Sequence, residues 1–143
     1  MTRYQHTQIG HAIIWSVLAV ILIASGGLIR ASADLATAVV SIILLICLLL
    51  FYKLTITIDD ETLCASFGPG IIRKKARLAE IARCEAIRIH WWYGWGIHLT
   101  PFGWLYNVSG FDAVAITLRD GRKFALGTDD PHGLITAIRA GTS

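Results

Sequence analysis

The sequence predicts an α+β protein: a transmembrane helical hairpin followed by a β-sandwich or barrel of about seven antiparallel strands capped by a C-terminal helix. Three observations lead to this class: two long apolar segments near the start, short alternating segments after residue 53, and one clear helix start near the end. They divide the chain into residues 1–53, with the hairpin, and residues 54–143, a β-rich domain.

The two apolar segments, Ala12–Ile29 and Leu35–Tyr52, are each eighteen residues long and contain no Asp, Glu, Lys, Arg or His. At about 1.5 Å rise per residue, such a helix reaches roughly 27 Å, close to the ~30 Å hydrocarbon core of a bilayer. The five residues between them, Arg30–Asp34, form a polar break. We therefore expect the two segments to cross a membrane as a hairpin.

The charges that flank the hairpin predict its orientation. Arg3 precedes the first segment and Lys53 follows the second, whereas the connecting loop has Arg30 offset by Asp34. The positive-inside rule then places both termini and the C-terminal domain on the cytoplasmic side. The alternative is a signal peptide cleaved after Ala31-Ser32-Ala33, but the first apolar segment exceeds the usual apolar region of about 7–15 residues.

Composition excludes several classes of protein. The mean hydropathy of the 143 residues is +0.58 and the net charge is +3. Residues 54–143 hold ten Lys or Arg and nine Asp or Glu, so bulk charge does not predict a nucleic-acid partner. Cys47, Cys64 and Cys84 have neither a disulfide pattern nor a metal-ligand spacing. We therefore expect no metal and no cofactor.

The segments after Lys53 predict the β-rich domain. Residues 54–58 alternate apolar and polar as a half-buried strand does, and comparable short segments recur to residue 126. Asp120-Gly121 is typical of a tight hairpin turn. Thr128-Asp129-Asp130-Pro131 supplies capping oxygens and a first-turn proline, which predict a helix start. About seven short strands cannot bury both faces of a flat sheet, so they must curl and use the helix as a cover.

This order of elements, and three stretches of sequence, resemble the bacterial pleckstrin-homology-like (PH-like) membrane proteins. The stretches are residues 110–131, Gly94-Trp95-Gly96-Ile97 and Thr57-Ile58-Asp59. The resemblance implies two near-perpendicular sheets capped by the helix, a binding or assembly module, and a multi-pass protein of the bacterial inner (plasma) membrane. The first strand–strand loop, Asp59-Asp60-Glu61, is acidic where phosphoinositide-binding PH domains are basic, which argues against an inositol-phosphate site there.

One candidate site is a basic run formed by Arg73, Lys74, Lys75 and Arg77. Near an anionic leaflet each cation contributes about 1 kcal/mol, so four contribute at most ~4 kcal/mol. The second apolar segment contributes roughly −4 to −7 kcal/mol on insertion scales, so anchoring does not need the basic run. We interpret the run as a lipid-headgroup contact, with an ordinary solvated strand end as the alternative.

A second candidate is an aromatic segment. It contains Trp91, Trp92, Tyr93 and Trp95, with Trp104 a little further on. Such rings can lie at the headgroup level of a bilayer, anchor a protein partner, or fill the core against the neighbouring glycines. The sequence leaves these three alternatives open, and we expect at least two of the tryptophans to be partly exposed.

No pattern of catalytic residues is present. His90, His98 and His132 are isolated, and no glycine-rich phosphate loop follows a strand. The sequence therefore predicts a non-enzymatic, membrane-anchored PH-like module for protein assembly or lipid-headgroup contact. The alternative is a small accessory subunit of a larger membrane protein complex, with the hairpin as interface. The expected partners are a lipid bilayer and a second copy or a membrane protein, and no nucleic acid.

Overall fold

The structure, a computed structural model, describes residues 1–28 and 34–143, and in that part of the chain it is of the mixed α+β class. The helices are α1 (His11–Leu28), α2 (Leu35–Phe51) and α3 (Pro131–Thr142). The strands are β1 (Tyr4–Ile9), β2 (Lys53–Ile58), β3 (Thr62–Phe67), β4 (Ile72–Arg77), β5 (Ile81–Arg88), β6 (Gly96–Thr100), β7 (Gly103–Asn107), β8 (Asp112–Leu118) and β9 (Lys123–Gly127).

The first sheet has the order β1-β2-β3-β4, with every neighbouring pair antiparallel. In β2 the predicted alternation is observed, because Leu54, Ile56 and Ile58 are buried and the residues between them are half-buried. β1 was not predicted: it precedes the hairpin and pairs with β2, with Gln5 opposite Thr57. The helical hairpin is therefore an insertion between two adjacent strands of this sheet.

The second sheet has the order β5-β8-β9-β7-β6. Its strands are antiparallel except β7 and β9, which run parallel. The described chain thus contains nine strands instead of about seven, and the expectation of wholly antiparallel pairing is wrong at one pair. The reason is topological: the β8–β9 hairpin lies between β5 and β7, which brings β9 beside a strand of the same direction.

A single main core joins the two sheets and α3. It takes buried side chains from both sheets, among them Ile56 and Phe67 of the first and Ile116 and Leu126 of the second. Leu134 and Ile138 of α3 complete it, and α3 packs on β5, β8 and the turn at 78–80. The predicted helix start is confirmed, since the Asp130 side chain accepts a hydrogen bond from the Gly133 amide and Pro131 opens the helix.

The predicted transmembrane hairpin is wrong. Although α1 and α2 form close to the predicted positions, residues 1–28 and 34–143 include no helix with both the length and the apolar composition that a membrane crossing requires. α2 has seventeen residues, a rise of about 25 Å against the ~30 Å hydrocarbon core, because the chain enters β2 at Lys53. The transmembrane assignment, and the membrane assignment that depended on a crossing, are corrected accordingly.

The predicted location depended on that crossing and is corrected with it. A multi-pass protein of a bacterial inner (plasma) membrane, with both termini and the C-terminal domain cytoplasmic, needs helices that span the bilayer, and none is found in the part of the chain that the structure describes. Two smaller predictions concern Arg30 in the hairpin loop and the alternative cleavage site Ala31-Ser32-Ala33. Both lie outside the described residues.

Candidate functional site

The base of the hairpin is built into the sandwich. The Gly10 amide donates a hydrogen bond to the Tyr52 carbonyl at 2.7 Å, which joins the start of α1 to the end of α2. Ile13 and Phe51 pack against the main core, and the Phe51 ring meets Phe67 edge-on with centroids 5.3 Å apart. These contacts fix where the two helices leave the β domain.

Beyond its base, the hairpin is apolar on nearly every side. Where the helices pack together, a half-buried stripe on each includes Val17 and Ile21 of α1 and Leu44 and Leu48 of α2. No described residue of α2 is buried. Among the hairpin residues whose side chains the structure describes, the exposed large apolar ones are Trp15, Leu18, Val20, Leu22, Ile23, Leu35, Val39, Val40, Ile42, Ile43, Leu45, Ile46 and Leu49.

The basic run lies on β4, one of the two edge strands of the first sheet. Arg73, Lys75 and Arg77 are exposed on the outer face, while Lys74 points to the inner face and places its Nζ 5.1 Å from the Phe124 ring centroid. Among the described residues, no carboxylate lies within 4.0 Å of any of the four cations. The run is therefore split: three cations on one surface, and one in a cation–π contact with the second sheet.

The four cations lie at different distances from the base of the hairpin. β4 starts next to its base, because Ile72 pairs with Phe67 and the preceding turn contacts the end of α2. Four residues along a strand cover about 13 Å, so Arg77 lies about that much further from the hairpin base than Arg73. A single lipid surface at the hairpin base would reach Arg73 and not Arg77.

Most of the aromatic candidates are exposed, as the sequence led us to expect. The exposed fractions are 76 % for Trp91, 60 % for Trp92, 37 % for Trp95 and 51 % for Trp104. Tyr93 differs, because it packs against a small second cluster on the far face of the second sheet that includes Leu105. The core-filling alternative therefore applies to Tyr93 and does not describe the four tryptophans.

The loop after β5 lies at the hairpin end of the second sheet. Its first residue, Ile89, donates its amide to the Phe111 carbonyl in the loop after β7. That second loop contacts the hairpin base region: Ser109 accepts a hydrogen bond from the Gln8 side chain at 3.0 Å, just before α1 begins. Trp91 and Phe111 line a shallow cleft of about 360 Å³ between the two loops.

The loop is held in a defined conformation by its own rings. His90 and Trp92 stack with centroids 4.2 Å apart and an angle of 3° between their planes. Trp91 meets Trp92 edge-on at 6.1 Å. The outward position of Trp91 therefore follows from ring stacking inside the loop. We call Trp91, Trp92, Trp95 and Phe111 the aromatic rim.

Trp104 belongs to a different surface. It lies on β7 opposite Leu99 of β6 and beside Phe124 of β9, on the sheet face that carries the main core further along. Leu99 and Trp104 are nevertheless exposed, so the first sheet does not cover this corner. Trp104 is separated from the aromatic rim by the register in which β7 pairs with β6 and β9. Sequence spacing alone does not predict that register.

Two contacts of β1 were missed by sequence reasoning. The Tyr4 hydroxyl donates to Asp130 Oδ2 at 3.0 Å, and His6 Nε2 contacts Asp129 Oδ1. Burial, followed by the hydrogen bond to Asp130, raises the pKa of Tyr4 well above its usual value. These contacts join the N-terminal strand to the start of α3. No local pattern signals them, because the partners are more than 120 positions apart in the chain.

Within residues 1–28 and 34–143, no group of three or more His, Cys, Asp or Glu side chains is placed to hold a metal ion. Cys47, Cys64 and Cys84 are free thiols. The exposed hairpin, the basic strand and the aromatic rim are thus the features of this fold that suggest a function. Comparisons with protein-family models, with curated proteins and with solved structures find no match.

Proposed function

We propose that this protein is a non-enzymatic binding module, of the PH-like kind that its sequence resembles, whose apolar hairpin attaches it to a lipid bilayer by inserting into the apolar layer without crossing it. The observation that supports the proposal most directly is the exposure of thirteen large apolar side chains in the described part of the hairpin. Exposed apolar patches on monomeric proteins seldom exceed a few hundred Å², and larger ones mark surfaces that bind a protein or a membrane. We therefore infer that the apolar surface of the hairpin is covered by such a partner.

The distribution of these side chains favours lipid over a single protein face. A helix that packs on one partner shows an apolar stripe and a polar face, whereas a helix that is apolar all round belongs in an apolar surround. On α2, exposed apolar side chains surround the helix except along the half-buried stripe where it packs on α1. Val40, Ile42 and Ile43, for example, point in three different directions around the helix axis. Lipid tails surround such a hairpin on all sides at once.

The energies are sufficient for attachment. Complete burial of one such side chain contributes about 1.5–3 kcal/mol, and these are roughly half exposed, so thirteen contribute on the order of 10–20 kcal/mol. Three cations on β4 could add at most ~3 kcal/mol. The attachment therefore depends on the hairpin, and Arg73, the cation nearest the hairpin base, has an auxiliary role at the headgroups.

The aromatic rim supports the same proposal from a second element. Tryptophan favours the headgroup region of a bilayer, where its ring is in an apolar environment and its N–H remains hydrated. The rim lies at the end of the second sheet that contacts the hairpin base. A hairpin inserted from that end brings Trp91 and Trp95 toward the headgroups.

Vesicle flotation tests the proposal. The full-length chain, diluted from detergent into vesicles of phosphatidylcholine alone or with one-fifth phosphatidylglycerol, should float with both. A variant with Ile42→Glu, Ile46→Glu and Leu49→Glu, three exposed positions on one face of α2, should lose at least about nine-tenths of the floating protein, because each buried charge opposes insertion by about 2.5 kcal/mol or more.

The matched control carries Gln5→Glu, Ala82→Glu and Ala140→Glu, which are exposed positions of the β domain, and should float like the parent chain. Circular dichroism checks that all three proteins are folded. If the parent chain stays outside vesicles of both compositions, the proposal is wrong and the hairpin is the interface of a protein complex. Equal flotation of the two triple variants also contradicts it.

A further inference from the structure

The free edge of β4 borders an uncovered part of the second sheet. β4 hydrogen-bonds only to β3, so within the described chain its other edge has no strand beside it. Lys74 of β4 lies over Phe124 of β9. The next strands beyond β9 are β7 and β6, whose Trp104 and Leu99 are exposed on the same face.

These features form a ledge, which we define by the β4 edge together with Trp104 and Leu99. Neighbouring strands are about 4.8 Å apart, so Trp104 lies one strand beyond Phe124 and Leu99 two strands beyond it. α3 packs at the opposite edge of this sheet, on β5 and β8, and leaves the ledge open. An extended segment placed along β4 would have open backbone groups on one side and apolar rings beneath it.

Charge decides what such a segment can be. Arg73, Lys75 and Arg77 project from the outer face of β4 at every second position, with no carboxylate of the described chain within 4.0 Å. A second copy of β4 would place like charges opposite each other, which disfavours pairing across a sheet. An acidic strand would place opposite charges there instead.

We propose that β4 is a docking edge for an extended acidic peptide of a partner protein. The peptide adds as a strand beside β4, its acidic side chains opposite Arg73, Lys75 and Arg77, and its alternate apolar side chains over Trp104 and Leu99. Backbone hydrogen bonds supply affinity, and the alternation supplies specificity. Basic residues on an edge strand also prevent pairing between copies, and this protection is compatible with an acidic partner.

Peptide docking at β4 does not depend on attachment to lipid, although the two share Arg73. β4 leads away from the hairpin, so Arg77 lies beyond the reach of a surface at the hairpin base, whereas a strand can contact the whole edge. A bound peptide would therefore contact the three outward-facing cations of the basic run from Arg73 to Arg77. Lys74 keeps its contact with Phe124 on the inner face of β4.

A labelled ten-residue peptide of alternating Glu and Val tests the proposal by fluorescence anisotropy with the full-length chain in detergent. Saturable binding is expected, and a peptide of alternating Lys and Val should not bind. A variant with Arg73→Gln, Lys75→Gln and Arg77→Gln should bind about tenfold more weakly or worse, from three lost cross-strand charge pairs. The control loses equal charge elsewhere, through Arg83→Gln, Arg119→Gln and Arg139→Gln, and should bind like the parent chain.

Two further peptides separate strand addition from general charge attraction. One is N-methylated at every Glu and the other at every Val, so each loses the amide donors along one edge. A peptide that pairs through one edge tolerates one pattern and loses binding with the other. Equal binding of both patterns overturns the proposal, as does equal binding by the two triple-charge variants. Binding of anionic vesicles instead of peptide at these three residues overturns it as well.

A variant that lacks the two apolar side chains of the ledge completes the test. Leu99→Ala with Trp104→Ala removes only exposed side chains, so the domain should still fold, and binding of the Glu/Val peptide should fall about threefold or more. A peptide of alternating Glu and Ser should already bind weakly and should not respond to this variant. An unchanged affinity for the Glu/Val peptide would contradict the placement of its apolar residues over the ledge.

Discussion

Gly68, the residue that follows β3, lies against the backbone of the last turn of α2. Its φ is +51°, in the left-handed region, and its amide donates to the Lys53 carbonyl at 2.9 Å. A Cβ at this position would lie 2.5 Å from the Leu49 carbonyl oxygen and 2.7 Å from that of Leu50, both in the last turn of α2. We therefore expect Gly68→Ala to force the hairpin away from the first sheet.

The magnitude follows from two contributions. A left-handed backbone costs an alanine about 1–2 kcal/mol. The carbonyl oxygens belong to the backbone and cannot rotate away, so α2 must move by at least about 0.5 Å to restore a 3.0 Å separation. That movement weakens the edge-on contact of Phe51 with Phe67, worth about 0.5–1.5 kcal/mol. The expected loss is about 1.5–3.5 kcal/mol.

Two other glycines provide matched controls. Gly121 has a φ of +90° and open space where a Cβ would lie, so Gly121→Ala should cost only the backbone contribution of about 1–2 kcal/mol. Gly26 lies in α1 with nothing within 4 Å of such a Cβ, and Gly26→Ala should be neutral or stabilise by up to about 1 kcal/mol. Both controls alter no contact between the hairpin and the sheet.

Urea unfolding of the full-length chain in a fixed detergent, followed by tryptophan fluorescence, measures these differences, since four of the five tryptophans lie in the β domain. A loss for Gly68→Ala no larger than that for Gly121→Ala would refute the proposed clash, because the two variants share the backbone cost and differ only in the carbonyl contacts.

Two further predictions concern α3 and its partners. Leu134→Ala should destabilise the protein by about 2–5 kcal/mol in the same assay, because this side chain is fully buried, and Ile135→Ala, which is half-buried, should cost clearly less; similar losses would contradict the packing of α3. The raised pKa of Tyr4 means that the folded state favours the neutral phenol. Stability should therefore be intact below the unfolded value of 10.0 and fall as the pH rises above it, and Tyr4→Phe should reduce this dependence, leaving the part due to Tyr106, whose pKa burial also raises. An unchanged alkaline profile in Tyr4→Phe would show that this phenol has no such role.

Elements with local signals could be predicted from the amino-acid sequence without any tertiary information. The two apolar helices form close to the predicted segments, since a run of apolar helix formers needs no distant partner to be recognised. The start of α3 could be predicted equally well, because the Asp130 cap and the first-turn Pro131 both act within one helical turn. The expectation that at least two of the tryptophans are partly exposed is also confirmed, although the sequence left open whether the rings face lipid, a protein partner or the core.

The remaining features emerge only in the folded protein, because they depend on which strands become neighbours. Tyr4–Ile9 is too polar to be recognised as a strand alone, and β2 makes it one by supplying backbone partners from across the hairpin. Strand register then separates Trp104 from the aromatic rim, and the packing of the two sheets places Lys74 over Phe124. Helix length also depends on context: β2 begins at Lys53 and ends α2 at seventeen residues, which is why the predicted crossing was wrong.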